Sequence, residues 1–400
     1  MRIFSFSSAG QIKKIMLEIG VDPYGVKIML PKAESFLIHL KAINNVAANI
    51  LKQEMLSLGA DAAIARGALT GKSKKTDVLI IGQLTQFNAL INKLKLQPFG
   101  LQKVAQELAE VIKNFSKDNF VLPLRKCSLN LSVKTHIMGI INLTPDSFSQ
   151  DGLYAVKSGN HLELALVRAK KMVSDGADII DLGGCSSRPG AKEVSLREEL
   201  SRILPVVKLL VKEINKPISI DTTKARVAEA ALDAGAQIIN DISGLRNKQM
   251  VKVAVKYKAA VVAMHMLGKP ENMQKIITYK SLIDDIASYL KISIDSAQTA
   301  GINPDKIIID PGIGFGKTPV HNLEIINHLA DFKALGKPIL IGPSRKSFIA
   351  KTLKSNSPDR ISGTLAACVM AAERGANIVR VHDVKQVSQA LKITEAVEKC

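Results

Sequence analysis

The chain has 400 residues, of which 46% are hydrophobic, and this length suits one or two domains with sizeable cores. No apolar stretch approaches the roughly 20 uncharged residues that span a bilayer. The N-terminal residues also lack the long apolar segment and the cleavage site of a signal peptide. We therefore expect a cytoplasmic protein without a membrane partner.

The net charge of +19 raises the hypothesis of nucleic-acid binding. The basic residues are spread along the chain, and only five tyrosines and no tryptophan are present to stack on bases. A lysine-rich, solvated surface that attracts anionic substrates is the better interpretation, so we expect no nucleic-acid partner. None of the four cysteines has C-x-x-C spacing, which argues against a zinc knuckle and a disulfide framework.

Residues 1–120 are predicted to form a small α+β domain of ferredoxin-like arrangement, and the sequence predicts no role for it. The predicted strands are 1–7, 26–31, 35–43 and 76–84, and the predicted helices are 9–20, 44–67, 84–96 and 100–115. No group of residues in this domain has the pattern of a catalytic site. Residues 121–135 are predicted to form a short hairpin that leads into a second domain, residues 121–400.

The second domain shows eight short apolar runs that alternate with amphipathic helical patterns. The runs are 136–142, 177–184, 217–221, 236–241, 259–266, 306–312, 338–342 and 377–383. This alternation predicts an α/β fold, either a (β/α)8 TIM barrel or a doubly wound open sheet. The count of eight and the length of the region favour the barrel.

Polar residues recur where the predicted strands end. They are Asn142, Asp221, Asn240, Asp241, His265, Asp310, Arg380, His382 and Asp383. Asp and Asn also favour helix caps and turns, which could explain any one of them. That explanation does not easily cover all of them at the same end of a barrel, where barrel enzymes carry their active sites.

Eight motifs in this domain identify a family. They are MGIINLTPDSFSQDG (138–152), DLGGCSSRPGA (181–191), SIDTTKA (219–225), IINDISG (238–244), MHMLGKPENMQ (264–274), IIIDPGIGFGKT (307–318), GPSRKSFI (342–349) and RVHDV (380–384). In this order they closely resemble the dihydropteroate synthases, pterin-binding barrel enzymes of folate biosynthesis. The resemblance covers residues 121–400 and does not extend to residues 1–120.

The resemblance implies a condensation with p-aminobenzoate. The other substrate is 6-hydroxymethyl-7,8-dihydropterin diphosphate, and the products are 7,8-dihydropteroate and pyrophosphate. By the same resemblance, the pterin is bound by Asp221, Asp310 and Lys346. We expect Asn240 to join them as a further polar contact, and Met264 and Phe315 to line the pocket. Short polar groups from separate strand ends suit the donor–acceptor edge of a pterin ring. Asp221, Asp310, Lys346 and Arg380 are the predicted catalytic residues.

The resemblance places the pyrophosphate against Asn142, Arg380 and His382, with Asn142 also contacting Mg²⁺. Arg380 and His382 alternate along one strand, so their side chains share a face. An arginine fork can engage phosphate oxygens with two hydrogen bonds. Any metal is expected to arrive with the diphosphate, because no His/Asp cluster has ligand spacing.

The benzoate is expected to meet Lys346, Ser347 and a loop that carries Ser187, Arg188 and Pro189. The glycines and proline of that loop suit a lid that closes and excludes water. The resemblance also suggests a homodimer. Two positions depart from the family pattern, because Cys185 stands where Glu is usual and Gln150 precedes an aspartate, Asp151, that comes one place late.

Two other functions are compatible with parts of the sequence. A methyltetrahydrofolate:corrinoid methyltransferase would share the Asp and Asn pterin contacts but would not need SRKS (344–347), the Ser-Ser-Arg-Pro-Gly loop or the Arg-x-His pair. A nucleic-acid-binding protein on a decayed barrel would show broken motifs, and only the net charge supports it. The synthase is the preferred prediction.

Overall fold

A computed structural model describes residues 9–144, 161–185, 194–268, 273, 277–354 and 359–399. The chain forms two compact units, Met1–Lys113 and Asn114–Cys400. Among the described residues, no helix is both long enough and apolar enough to cross a membrane.

The first unit contains a three-stranded antiparallel sheet in the order β1-β3-β2. Its strands are β1 (Ser35–Asn44), β2 (Asp61–Ile64) and β3 (Lys75–Gln83). The helices that accompany them are α1 (Ala9–Glu18), α2 (Pro23–Ala33), α3 (Asn45–Ser57), α4 (Arg66–Leu69), α5 (Leu84–Leu94) and α6 (Leu101–Phe115). This chain order and sheet order match part of a split β-α-β pattern, and the ferredoxin-like interpretation stays a prediction.

Two predicted elements of this unit were wrong. Residues 26–31 lie inside α2, not in a strand, because Pro23 opens that helix and Asp22 Oδ1 accepts the N–H of Tyr24 at 2.8 Å. The helix predicted over 44–67 ends at Ser57, and Gly59, with φ of 69°, turns the chain into β2. The strand predicted over 1–7 lies outside the described residues.

The second unit is a closed barrel of parallel strands, preceded by a hairpin, β4 (Val121–Pro123) and β5 (Ser128–Asn130). The barrel strands are β6 (His136–Asn142), β7 (Ile179–Gly183), β8 (Ile218–Asp221), β9 (Ile238–Asp241), β10 (Ala260–Met264), β11 (Ile307–Asp310), β12 (Leu340–Ile341) and β13 (Ile378–Val381). A bridge between Ile309 and Ile339 joins the two ends of the eight-stranded sheet. The predicted barrel and hairpin are confirmed, and the open doubly wound sheet was wrong.

A helix follows every barrel strand. These helices are α7 (His161–Asp175), α8 (Leu196–Glu213), α9 (Ala225–Asp233), α10 (Lys248–Tyr257), α11 (Leu282–Thr299), α12 (Pro319–Asn327), α13 (Ser347–Leu353), α14 (Ile361–Glu373) and α15 (Val384–Lys399). The largest apolar core lies between these helices and the outward faces of the strands. It encloses the barrel, as expected when each helix buries one apolar face.

Inside the barrel, apolar residues fill the amino-terminal ends of the strands, and hairpin residues Leu122 and Leu131 close that end. Side chains two places apart on a strand share a face. A residue that follows one of these inner apolar residues by two places therefore also points into the barrel. It lies nearer the carboxyl-terminal end of the strands, which is the mouth of the barrel. Such apolar and polar pairs are Ile179 and Asp181, Ile238 and Asn240, Ile308 and Asp310, and Ile378 and Arg380.

Candidate active site

The polar centre of the barrel mouth is the guanidinium of Arg380. Its Nε donates to Asp181 Oδ2 at 2.6 Å, and its Nη2 donates to Asp221 Oδ2 at 2.7 Å. Asn240 Nδ2 donates to the same Asp181 oxygen at 3.3 Å. Strands β7, β8, β9 and β13 thus contribute to one hydrogen-bonded group, and Asp181 orients both Arg380 and Asn240.

One arginine faces two carboxylates in this group, so its charge neutralises only one of them. Burial raises the pKa of Asp221 to about 7, with Asp181 and Glu199 adding to the rise and Arg380 and Lys346 opposing it. A carboxyl with this pKa changes charge near neutral pH. Perturbed groups of this kind cluster at functional sites.

Asp310, at the end of β11, is the second carboxylate of the mouth. Its Oδ1 accepts the N–H of Gly312 at 2.7 Å, which fixes the carboxylate at the start of the following loop. Burial raises the pKa of Asp310 to about 6, against that hydrogen bond and the cations of Lys346, Lys317 and Arg380.

Lys346 lies beside an apolar wall of the pocket. Its Nζ is 4.2 Å from the ring centroid of Phe315, within cation–π range. Phe315 belongs to a small buried cluster with Ile242, Met264, Met266 and Met273. Predicted residues Met264 and Phe315 therefore lie together, with a predicted catalytic lysine above the ring.

His382 and the segment 344–347 lie next to each other beyond β12 and β13. Ser344 Oγ lies 3.1 Å from His382 Nδ1 and accepts the N–H of His382 at 3.2 Å. Arg345 Nε donates to Asp383 Oδ2 at 2.9 Å, which anchors the same segment. Ser347, the first residue of α13, is exposed.

His265 has no role in the predicted chemistry, and its surroundings agree with a structural one. It is 4% exposed, and its ring meets that of Tyr289 edge-on with centroids 4.9 Å apart. Burial, together with Lys317 and Arg246, lowers the pKa of His265 to about 2, so its imidazole is neutral at physiological pH.

A family model described as "Pterin binding enzyme" matches residues 138–382, which run from the third residue of β6 to the residue after β13. A Synechocystis protein named dihydropteroate synthase is 45% identical over 278 residues, which cover 69% of this chain and 94% of that protein. This chain belongs to the dihydropteroate synthase family.

A solved dihydropteroate synthase from Yersinia pestis, in complex with a sulfonamide drug, is 41% identical and superimposes with a TM-score of 0.66. That match covers 70% of this chain and 99% of the Yersinia chain. Because these relatives are named dihydropteroate synthases, they do not favour the methyltransferase hypothesis.

The first unit also has a counterpart in a relative. A Halobacterium salinarum protein is named a probable bifunctional folylpolyglutamate synthase/dihydropteroate synthase. It is 37% identical over 377 residues, 94% of this chain and 44% of that protein. An alignment of this length cannot fit within residues 114–400, so it includes part of Met1–Lys113.

The loop predicted to meet the benzoate follows β7, and its residues Ser187, Arg188 and Pro189 lie outside the described residues. Hydrogen bonds anchor the described residues on both sides of that loop. Arg202 Nη1 donates to Gly184 O at 2.9 Å, and Lys224 Nζ donates to Val194 O at 2.5 Å.

Glu199 binds one of the two side chains that anchor the loop, and the sequence did not predict this role. It is 1% exposed, and it accepts Thr222 Oγ1 and Lys224 Nζ, each at 2.7 Å. In the sequence, Glu199 is recognisable only as an acidic residue in the first turn of a helix, and Glu is common at that position in any helix.

Cys185, the departure from the dihydropteroate synthase pattern, lies in this neighbourhood. Burial raises the pKa of the Cys185 thiol, and the charges of Glu199 and Asp221 add to the rise. A thiol in this environment stays protonated at neutral pH and is a poor nucleophile. The other departure, Gln150, lies outside the described residues together with Asp151.

Proposed function

We propose that this chain is a transferase that condenses 6-hydroxymethyl-7,8-dihydropterin diphosphate with p-aminobenzoate. The products are 7,8-dihydropteroate and pyrophosphate. The observation that carries the proposal is the joining of Arg380 to Asp221, beside Asn240 and Asp310, at the mouth of a barrel whose sequence is 45% identical to a dihydropteroate synthase.

Pterin recognition is assigned to Asp221, Asn240 and Asp310. Their side chains enter the barrel from three strands, β8, β9 and β11, so they can meet different atoms along one edge of a flat ring. Carboxylates accept hydrogen bonds from ring N–H groups and lower the energy of positive charge on the pterin. Met264 and Phe315 supply the apolar surface on which a ring can pack.

Bond breaking at the pterin methylene leaves electron deficiency on carbon and negative charge on the diphosphate. Asp221 and Asp310, once ionised, stabilise the first charge, and Arg380 and His382 stabilise the second. The bonds to Asp181 and Asp221 use two of the five N–H donors that a guanidinium carries. Arg380 therefore keeps donors for phosphate while it remains tied to the pterin carboxylates.

The benzoate is proposed to lie against Lys346, Ser347 and the residues Ser187, Arg188 and Pro189. Lys346 sits on the Phe315 ring between the pterin carboxylates and the exposed start of α13, which suits a residue that touches both substrates. The amine of p-aminobenzoate attacks the methylene carbon and loses a proton. Exclusion of water protects this carbon from hydrolysis.

Mg²⁺ is proposed to accompany the diphosphate. The described residues contain no group of three or more His, Cys, Asp or Glu side chains that could hold a metal. Mg²⁺ commonly keeps several waters and binds through one or two protein oxygens plus substrate phosphates. An amide oxygen at the mouth fits this chemistry. Asn142 Oδ1 lies there, 3.5 Å from where a Cβ on Gly183 would stand.

A homodimer also belongs to this proposal, on the strength of the family resemblance, and so does a cytoplasmic location, on the strength of the sequence pattern. Because the Yersinia relative was solved with a sulfonamide drug, and sulfonamides resemble p-aminobenzoate in shape, we propose that sulfonamides compete for the benzoate position here.

The deciding experiment measures pyrophosphate release by the purified chain with the pterin diphosphate and Mg²⁺, in the presence and absence of p-aminobenzoate. Release that depends on p-aminobenzoate, with dihydropteroate as product, supports the proposal. Lys346→Ala should lose most of this activity. Lys351→Ala, at an exposed position of α13, the helix that follows Lys346, should keep it. Pterin binding without turnover would overturn the proposed reaction.

A further inference from the structure

Lys317 is a buried cation that none of the assigned roles uses. It is 3% exposed, and its Nζ lies 2.9 Å from His265 Nδ1 and 3.0 Å from the carbonyl oxygen of Phe315. An ammonium group offers only hydrogens, so both atoms accept from it, and His265 carries its own proton on Nε2. The neutral state of His265 makes it a suitable acceptor at this depth.

The loop between β11 and α12, residues 311–318, is fixed by hydrogen bonds along its length. Gly314 N donates to Asn322 Oδ1 at 2.7 Å, and Tyr279 Oη donates to Gly316 O at 2.9 Å. Gly312 has φ of 74°, and a Cβ there would stand 1.9 Å from the carbonyl oxygen of His265, so only glycine fits. Lys317 adds the bond that holds the carbonyl of Phe315.

Lys346 rests on this loop. Its Nζ lies over the Phe315 ring, and its Cδ is 3.1 Å from where a Cβ on Gly314 would stand. A change in the backbone at Phe315 moves the surface that supports Lys346. Lys317 is therefore connected to a predicted catalytic side chain through one carbonyl and one aromatic ring.

Lys317 also acts on Asp310 through its charge. The charged groups that face Asp310 are Lys346, Lys317 and Arg380, and those that face Lys317 are Asp310 and Lys346, with neutral His265 alongside. Lys346 and Arg380 are on the side where the substrates are proposed to bind. Lys317 is buried and held by His265 and the carbonyl of Phe315, so we expect it to keep its place when substrate binds.

We propose that Lys317 is a positioning residue of this site, which holds Phe315 beneath Lys346 and keeps Asp310 in its carboxylate form. The inference rests on the proposed function, because it assumes that Asp310 and Lys346 contact the pterin. Burial lowers the pKa of Lys317 to about 7, although Asp310 opposes this shift. Lys317 is therefore largely protonated in the pH range where Asp310 titrates.

The test measures the affinity of 6-hydroxymethylpterin by calorimetry between pH 5.5 and 8.5 (roughly the range that brackets both groups). Removal of the Lys317 charge raises the pKa of Asp310. Asp221 titrates in both proteins, so the pH profile of Lys317→Met should shift in a relative sense: its loss of affinity between about pH 8 and about pH 6 should be several-fold larger than that of the wild type. Lys317→Gln removes the charge but keeps an N–H donor for Phe315 O. It should show the same pH shift with a smaller loss of kcat.

Lys337→Met is the matched control. Lys337 is also buried, at 8% exposure, donates to the carbonyl of Pro304 at 2.8 Å, and has its pKa lowered to about 8, chiefly by burial. It precedes β12 at the amino-terminal end of that strand, away from the mouth. Its loss should leave the pH profile of pterin affinity unchanged.

Folded Lys317 variants with the wild-type pH profile and wild-type kcat would overturn the inference. A wild-type chain that binds no pterin would instead overturn the proposed function. If neither variant folds, NMR of lysine side chains in the wild type supplies the answer. One lysine should titrate near pH 7, and Asp310→Asn should move that titration to lower pH, because a neighbouring negative charge is lost. An unmoved titration would count against the coupling.

Discussion

Arg380 donates to Asp221 across the mouth of the barrel, from Nη2 to Oδ2 at 2.7 Å, while its Nε remains bound to Asp181. The carboxylate that is proposed to bind the pterin is thereby joined to the cation that is proposed to bind the leaving group. A substrate that contacts both residues is held at its pterin ring and at its diphosphate by two groups whose separation is fixed. This geometry lowers the entropy cost of reaching the transition state.

Asp221→Ala should weaken binding of 6-hydroxymethylpterin by about 100-fold or more, equal to about 3 kcal/mol. The substitution removes an acceptor for the pterin and the hydrogen bond from Arg380 Nη2 to Asp221, and it leaves Arg380 paired with Asp181. Calorimetry measures the affinity directly. Asp233→Ala, at the exposed end of α9, is the control and should bind normally. Near-normal binding by Asp221→Ala would contradict the assigned pterin contact.

Arg188→Ala should raise the KM for p-aminobenzoate at least about tenfold while it changes the KM for the pterin diphosphate little. The predicted role of this residue is confined to the benzoate position, although it lies outside the described residues. Steady-state kinetics with each substrate varied in turn provide the measurement. Arg197→Ala, at an exposed position of α8, should behave as wild type. Equal increases in both KM values would show that the benzoate role is wrong.

Asp178→Asn should destabilise the barrel by about 3 kcal/mol at pH 7. Lys134 Nζ lies 2.9 Å from both carboxylate oxygens, and His136 Nδ1 lies 3.2 Å from Oδ2, next to the hairpin that closes the barrel. Burial disfavours the charged carboxylate, but the hydrogen bonds from His136 and Lys134 outweigh it and hold the pKa of Asp178 well below its usual range.

The pH dependence of this effect has a definite sign. Because the pKa of Asp178 is depressed in the folded state, its stabilisation is present above the unfolded-state pKa of about 4 and is lost as the pH falls. The difference in free energy of unfolding between wild type and Asp178→Asn should therefore shrink below about pH 4. Urea denaturation at several pH values measures it. A difference that stays constant down to pH 2.5 (roughly the practical acid limit) would exclude this ion pair as its cause.

Among the three cysteines of the described residues, iodoacetamide should label Cys127 first, Cys185 more slowly by about tenfold or more, and Cys368 only after unfolding. Cys127 is exposed, burial raises the pKa of Cys185, and burial raises the pKa of Cys368 to about 12. Mass spectrometry of peptides after timed labelling at pH 7.5 (roughly one unit below an ordinary thiol pKa) separates the three. In Cys127→Ser, the peptides of Cys185 and Cys368 should be labelled at their wild-type rates. Rapid labelling of Cys185 would instead indicate an activated thiol.

The eight barrel strands were predictable because each is a short β-branched run between amphipathic helices, and local pattern is enough to define such elements. In the first unit the same reasoning failed at residues 26–31. An apolar run of that length suits a strand or a buried helix equally, and Pro23 with its Asp22 cap decided for the helix. The short strand β2 was hidden because its alanines continue a helix-favouring composition.

The sequence by itself determined which polar residues stand at the strand ends, among them Asp221, Asn240, Asp310 and Arg380, because each follows a short apolar run. Only the tertiary structure decided which of them touch. Arg380 meets Asp181 and Asp221 across 199 and 159 residues of chain, and closure of the barrel alone brings them together. The contacts of Lys317 could not be predicted from the sequence either. Its burial against His265 and Phe315 depends on the fold of a glycine-rich loop and on a neighbouring strand, and no local sequence pattern encodes that contact.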